Sequence, residues 1–454
     1  EKTTPNPFSH CHSLVVHEKL TPSTLTMASS LSLYSVCSEL QNHGCSAFCG
    51  FEGVKAGNEF ICLPSSTDRM EFPFDITSED RAEYCEMVAA GHGCDDICGF
   101  QWDSDAGECR KRSNKHAHSA TVDDNDDKSN DDPIIGGSGK FRYQYMPDLL
   151  QAPEGASLVN CHGLVLDKDN NIYLTYQNDG KTDENCLIRW NPDGTGGEFL
   201  TGGNTTLCSG TPHGLKIVTE GDEQFLYHAN NDQKLSKTTL DGTVIWQVNG
   251  VFGQATDVYR PTWFATPPDS EYMYLCDGYG SNQVYAFDRN GTFMNETWGG
   301  ASPAKGPDEP HGTFSTNHGC TYDPRIPDEH IIVVSDRANS RFEFYNYDPE
   351  GYQTFEWNRT VDFEAQMGVG TLPCNMRMYP EQDGRAIVPD LAGPVAVLDN
   401  TNTVISVVNV SVLLEQEQHK HPHDAIFLPN GDMVVATWAP GRVSYWKLLP
   451  APGQ

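Results

Sequence analysis

The chain has 454 residues, 10% of them aromatic, with 63 acidic against 30 basic side chains and a formal net charge of -33. A chain of this length carries one large domain plus smaller modules, with a sizeable core. The charge excludes a phosphate-backbone ligand such as nucleic acid, which demands a basic surface, and leaves divalent cations and basic partners as natural company.

No stretch approaches the roughly 18–20 consecutive apolar residues of a membrane span, and the first residue is Glu1 rather than Met. The expectation is a processed product whose signal peptide has been removed. Fifteen cysteines, eight of them between Cys37 and Cys109, argue against a reducing cytosol. N-glycosylation sequons at Asn204, Asn290, Asn295, Asn358 and Asn409 point the same way. Together they predict an extracellular location with N-linked glycans.

Residues 1–33 are rich in Ser, Thr and Pro and lack helical periodicity. They read as an extended arm, the expected place for O-linked glycans and for self-association by strand addition or docking on other extracellular proteins. Two related modules follow, 34–64 and 65–112, carrying "CSELQNHGCSAFCGF" and "CEMVAAGHGCDDICGF". Their cysteines are Cys37, Cys45, Cys49 and Cys62, then Cys85, Cys94, Cys98 and Cys109. Paired cysteines with three residues between them suit either zinc or a disulfide-stapled module; an oxidising compartment favours disulfides. Residues 113–139, with "DDNDDKSNDD" from Asp123 to Asp132, read as an acidic linker.

From residue 140 to 454 short apolar runs alternate with turns rich in Asp, Asn, Gly and Pro. Six segments repeat a strand, turn and strand: "NCHGLVLDKDNNIYLTY", "TPHGLKIVTEGDEQFLYH", "RPTWFATPPDSEYMYLCD", "TNHGCTYDPRIPDEHIIVVSD", "PCNMRMYPEQDGRAIVPD" and "HPHDAIFLPNGDMVVATW". Aligned, they place His162, His213, Thr262, His318, Asn375 and His423 at one position, at spacings of 51, 49, 56, 57 and 48 residues. Six such units predict an all-β fold, a six-bladed β-propeller. The last unit is one strand short, and "KFRYQY" is a spare strand expected to close the ring.

The start of each blade's first strand rings one mouth of the central channel. Alternate blades are about 120° apart, so His213, His318 and His423 converge, as a zinc site with an open position requires. His162 occupies the same slot in blade one. It reads as a fourth ligand, a group that orients the ligands or a polar residue in a wet channel, with the last two favoured. His419 and His421, in "HKHPHD", are expected in a solvent-facing loop.

The six-unit region resembles the NHL-repeat propellers, and within them the peptidyl-α-hydroxyglycine α-amidating lyase domain. The residues that carry the resemblance are "PHGL" with His213, "DGYGSNQVYAFDRNG" with Tyr279, "NHGCTYDP" and "SDRANSRFEFY" with His318 and Arg337, and "HPHDAIFLPNGD" with His423 and Asp424. The resemblance implies zinc on the three histidines, Tyr279 as base and Arg337 holding substrate. It also implies a calcium on the Asp424 carboxylate and the backbone carbonyls of Leu164 and Leu215. The implied reaction splits a C-terminal α-hydroxyglycine into a peptide amide and glyoxylate. Two family positions differ: a catalytic arginine is replaced at Tyr176/Gln177, and the cysteine after the tyrosine is Gly280. Tyrosine and arginine in such turns also serve as ordinary packing residues between blades.

The sequence therefore predicts a secreted glycoprotein with a metal-centred propeller, acting mainly as a structural, assembly or binding subunit. The alternative is the zinc-dependent lyase or a diverged relative. Outside the modules stand Cys11, Cys161, Cys186, Cys208, Cys276, Cys320 and Cys374. With an odd number, at least one lacks an intrachain partner if the modules pair internally; Cys11 is a candidate for an intermolecular bridge and a buried propeller thiol an equal one.

Overall fold

The computed structural model describes residues 133–180, 184–200, 205–250, 259–326, 328–352, 355–368, 370–414 and 418–451, together with four short strands nearer the N-terminus. The chain divides into two units, 1–129 and 130–454.

In the first unit, β1 (Phe51–Ala56) pairs antiparallel with β2 (Glu59–Pro64), and β3 (Phe100–Asp103) with β4 (Glu108–Lys111). Each hairpin starts on the Phe of a Cys-Gly-Phe triplet, and its return strand carries the last cysteine of its module. The pairing of the eight module cysteines, the arm with Cys11 and the acidic run lie outside the described residues.

The second unit opens with β5 (Ile135–Ser138) and β6 (Phe141–Tyr145). Blade one is β7 (Asn160–Leu166), β8 (Ile172–Gln177), β9 (Leu187–Trp190) and β10 (Glu198–Phe199). Blade two is β11 (Pro212–Glu220), β12 (Glu223–Asn230), β13 (Lys234–Thr238) and β14 (Val244–Asn249). Blade three is β15 (Trp263–Ala265), β16 (Tyr272–Cys276), β17 (Gln283–Asp288) and β18 (Phe293–Gly299). Blade four is β19 (Asn317–Tyr322), β20 (Ile331–Asp336), β21 (Arg341–Tyr347) and β22 (Phe355–Asp362). Blade five is β23 (Arg377–Tyr379), β24 (Arg385–Pro389), β25 (Pro394–Leu398) and β26 (Val404–Asn409). Blade six combines β27 (Pro422–Phe427), β28 (Met433–Thr437) and β29 (Arg442–Leu448) with β6 and then β5. Every sheet is antiparallel, and the whole is a six-bladed β-propeller.

Sequence pattern accounts for the layering. Inner strands are covered on both faces and read as continuous apolar or small-residue runs, β27 being buried throughout. Outer strands are more open: β26 alternates buried and exposed residues toward its end, and β22 has no buried residue. The hairpins between third and fourth strands are set by aspartates: Asp288 Oδ1 accepts the backbone N–H groups of Asn290 and Thr292, and Gly291 takes the positive φ of the turn. Asp193, Asp241 and Asp399 repeat the device. Asn290, Asn295, Asn358 and Asn409 are exposed on the outer strands or their turns; Asn204 lies outside the described residues.

The core consists of six apolar clusters, one at each junction between neighbouring blades. The ring is closed by β6, which pairs Tyr145, Gln144 and Tyr143 with Trp446, Lys447 and Leu448. The fifth strand, β5, is a feature the sequence reading did not foresee. A disulfide between Cys186 and Cys208 ties blade one to the segment entering blade two, while Cys161, Cys276, Cys320 and Cys374 are buried thiols.

Because the closing strand buries Tyr143 fully in the junction between blades five and six, Tyr143→Ala is expected to lower the free energy of unfolding by about 3–5 kcal/mol. Denaturant titration measures this.

Candidate metal centre and channel

The four histidines of the aligned position share one backbone irregularity. Strand register shifts between Cys161 and Leu164, Pro212 and Leu215, Asn317 and Gly319, and Pro422 and Asp424, and each shift contains the histidine. Such a bulge sets two residues against one and re-aims a side chain, here toward the axis.

A glycine follows three of the histidines. A Cβ on Gly163 would meet Leu215 Cβ at 2.6 Å, one on Gly214 the Thr262 carbonyl oxygen at 2.5 Å, and one on Gly319 the Cys374 carbonyl oxygen at 2.6 Å. The inner strands thus approach closely only because these residues lack side chains. The same carbonyls receive the imidazoles: His213 Nδ1–H donates to Thr262 and His318 Nδ1–H to Cys374, both at 2.8 Å. That fixes the tautomer and leaves each Nε2 with a lone pair.

All four rings converge. Centroids lie 4.5 Å apart for His162–His213, 4.6 Å for His213–His423, 4.7 Å for His162–His423, 4.9 Å for His213–His318 and 4.7 Å for His318–His423. Nitrogens of His162, His213 and His423 lie within 4.8 Å of one another, a trio able to hold a metal ion. Proximity therefore brings His162 into the cluster, although three-fold spacing argues for His318, whose hydrogen bond to Cys374 matches that of His213. Both nitrogens of His162 and His423, and Nε2 of His213 and His318, are buried without a partner. Burial lowers every one of these pKa values: His162 falls to about 3, and the other three are held well below the usual histidine value by burial, reinforced by neighbouring imidazoles and the Arg337 guanidinium. The donors are neutral bases, the form that binds metals.

Above the cluster, Tyr279 sets its ring 5.3 Å from His213 and 5.5 Å from His318, with 39% of the residue exposed. Arg337 Nη1 donates to Tyr279 Oη at 3.0 Å. Burial raises the tyrosine pKa and the guanidinium opposes that rise. Gln177, where the resemblance places an arginine, accepts at 2.7 Å from Asn160 Nδ2 and ties down the start of β7. In blades two to five, Asn230, Asp277, Asp336 and Asp390, at the end of the second strand, accept from the backbone N–H groups of Thr211, Arg260, Ser315 and Leu372. Strand register sets Tyr176 opposite Cys161 as it sets Asn230 opposite Pro212 and Asp336 opposite Asn317, so the fully buried Tyr176 holds the repeat position of those tethers and Gln177 is an additional one beside it.

Two sequence expectations need correction. His419 is buried against Tyr145, and His421 Nδ1–H donates to the Leu391 carbonyl at 2.7 Å, so neither faces solvent freely. The calcium site is also different from expectation. Arg377 Nε and Nη2 fork onto the Asp424 carboxylate at 3.1 and 2.5 Å, and Nη2 also reaches the Leu164 carbonyl at 2.7 Å. Lys216, next to Leu215, stands within electrostatic reach of both Arg377 and Asp424. Calcium needs 6–8 oxygen ligands; here the carboxylate and one of the two expected carbonyls already hold a guanidinium, and a second cation adjoins it. These residues do not fit calcium. Sequence reasoning missed Arg377 and the glycines; the "HG" pair recurring in blades one, two and four was the available signal for the latter.

Fold and site together define a six-bladed propeller whose channel holds a cluster of neutral imidazoles able to bind a metal. No protein-family model matches the chain. The peptidyl-glycine alpha-amidating monooxygenases of Mus musculus and Rattus norvegicus are each 23% identical over 217 residues, covering 42% of this chain and 21% of the relative. The chain thus matches about a fifth of those proteins' length. Among solved structures, a luciferin-regenerating enzyme is similar with a TM-score of 0.46 and 11% identity, over 71% of this chain and 98% of the other. Virginiamycin B lyase from Staphylococcus aureus gives a TM-score of 0.41 and 12% identity, over 68% and 89%.

Gly214→Ala pushes blade three away from the His213 anchor, so metal affinity is expected to fall about 10–100-fold in a chelator-competition assay. Arg377→Met leaves Asp424 buried without its counter-ion, with an expected loss of about 3–5 kcal/mol of stability. Calcium chelation should leave the melting temperature of the wild-type protein unchanged.

Proposed function

We propose that this chain is a zinc-dependent lyase of the α-hydroxyglycine-cleaving type, or a diverged relative acting on another small α-hydroxy carboxylate. The observation that carries this reading is the Tyr279–Arg337 pair set over the imidazole cluster. A bound zinc ion would act there as a Lewis acid that lowers the pKa of a substrate hydroxyl. Tyr279 Oη is placed to take that hydroxyl proton, and the Arg337 guanidinium beside it favours the phenolate form. Its remaining N–H groups suit pairing with a carboxylate. As the carbon–nitrogen bond breaks, its electron pair goes to the amide nitrogen, which receives the proton back; the carbon product is an aldehyde. His213, His318 and His423 are the proposed ligands.

One observation favours a second reading. His162 brings a fourth unpartnered imidazole to the cluster, and four imidazoles close a tetrahedral site, as in structural rather than catalytic zinc. With the tethering glutamine in place of an arginine, that arrangement suits a metal-braced binding or assembly protein. The arm proposed for assembly and the secreted, glycosylated state are separate proposals, resting on the sequence.

The deciding experiment combines metal analysis with product detection. The lyase reading expects about one zinc per chain, glyoxylate release from an α-hydroxyglycine peptide, and loss of at least about 100-fold in kcat for Tyr279→Phe with metal content unchanged. Zinc retained without glyoxylate, and lost in His162→Ala, would instead establish the closed structural site.

A further inference from the structure

We propose that the far end of the channel, beyond the histidines, is a binding site for a small oxyanion, a carboxylate or a phosphate, held by Lys216 and Arg377. Continuing along the inner strands, all six blades open into a cavity of about 290 Å³. Trp263, fully buried, lies between this end and the metal cluster: its ring is 6.0 to 6.5 Å from those of His213, His423 and His318, and the Arg377 guanidinium carbon is 5.7 Å from its centroid.

The cavity wall is rich in donors and, among the described residues, has no carboxylate. Lys216 donates to Thr321 Oγ1 at 3.0 Å, leaving two ammonium hydrogens to be met. Arg377 is partly open to the cavity, with 12% of its side chain exposed. Thr266 and Tyr322 add hydroxyls, and Tyr379 Oη, which accepts from the Phe427 N–H, keeps its own hydrogen to give. Tyr322 and Tyr379 both have raised pKa values, chiefly through burial, so both stay protonated.

Charge makes the same point. Asp424 is the nearby carboxylate, and the Arg377 fork already satisfies it. Burial first, and Arg377 second, push the Lys216 pKa down to about 7, so near neutral pH the group is shared between amine and ammonium, and a bound anion would draw it to the ammonium form. An oxyanion of one or two charges would complete the balance and accept the idle hydrogens. Since the protein as a whole carries -33, such a ligand would be held by this local arrangement and not by the overall field.

Calorimetric titration of the full chain with inorganic phosphate and, separately, acetate tests the proposal. One saturable site is expected, with affinity reduced at least about tenfold in Lys216→Met and also weakened in Thr321→Val. The tighter of the two probes identifies the ligand as a phosphate or a carboxylate. Zinc content of both variants should equal that of the wild type. If neither probe binds at millimolar concentration, or if binding survives Lys216→Met and vanishes in His318→Ala, the proposal is overturned, the latter result assigning the anion to the metal.

Discussion

The close approach of the inner strands is the constraint on which the site depends. Gly163, Gly214 and Gly319 lie where any side chain would collide with the next blade. The contact that forbids a side chain at Gly214 and Gly319 also delivers a carbonyl to the preceding imidazole. Packing between blades and the electronic state of the ligands are therefore set by the same atoms. A change that loosens the ring by a few tenths of an ångström acts on the histidine tautomers before it is felt in the apolar clusters. The tethers from Gln177, Asn230, Asp277, Asp336 and Asp390 serve the same end, since each fixes the segment that leads into an inner strand.

The cluster that results is costly without a ligand. Each buried polar atom left unsatisfied costs about 1–3 kcal/mol, and the channel holds orphaned nitrogens on all four histidines. Charging the rings is no escape, because burial and mutual repulsion hold their pKa values down. A set of neutral bases pointing at one another is relieved by a shared electrophile. A proton can be shared by one pair; a metal cation serves three or four.

Much of this was legible in the sequence because it is periodic. The six-fold recurrence of strand, turn and strand specified the propeller. Equivalent positions in that recurrence brought His162, His213, His318 and His423 to one ring, and the spare strand around Tyr143 was readable because the last unit lacked one. What escaped was aperiodic. Arg377 stands two residues beyond its ring position, where the other blades carry Leu164, Leu215, Phe264, Cys320 and Ala425, and its role appears only once it reaches across the channel to Asp424. Pairing of Cys186 with Cys208 follows from the short helix (Thr205–Cys208) that carries the second cysteine to the blade junction, which counting cysteines does not show. His419 is buried by Tyr145 of the closing strand, a contact between the two ends of the propeller sequence that no local pattern announces.

The charges around the cluster bear on which cation it selects. Its donors are uncharged nitrogens, with the Arg337 guanidinium at the mouth and Arg377 beyond Trp263. Asp424, adjacent to His423 in sequence, has its negative charge engaged by Arg377. Hard cations such as magnesium or calcium draw their binding energy from anionic and carbonyl oxygens, which this cluster does not offer. A borderline cation that bonds strongly to imidazole needs no such help and tolerates the positive surroundings better. The Arg377 guanidinium thus does two things at once: it braces blade five against blades six and one, and by engaging the Asp424 carboxylate it leaves the histidine cluster with uncharged nitrogen donors, which suit nitrogen-seeking metals.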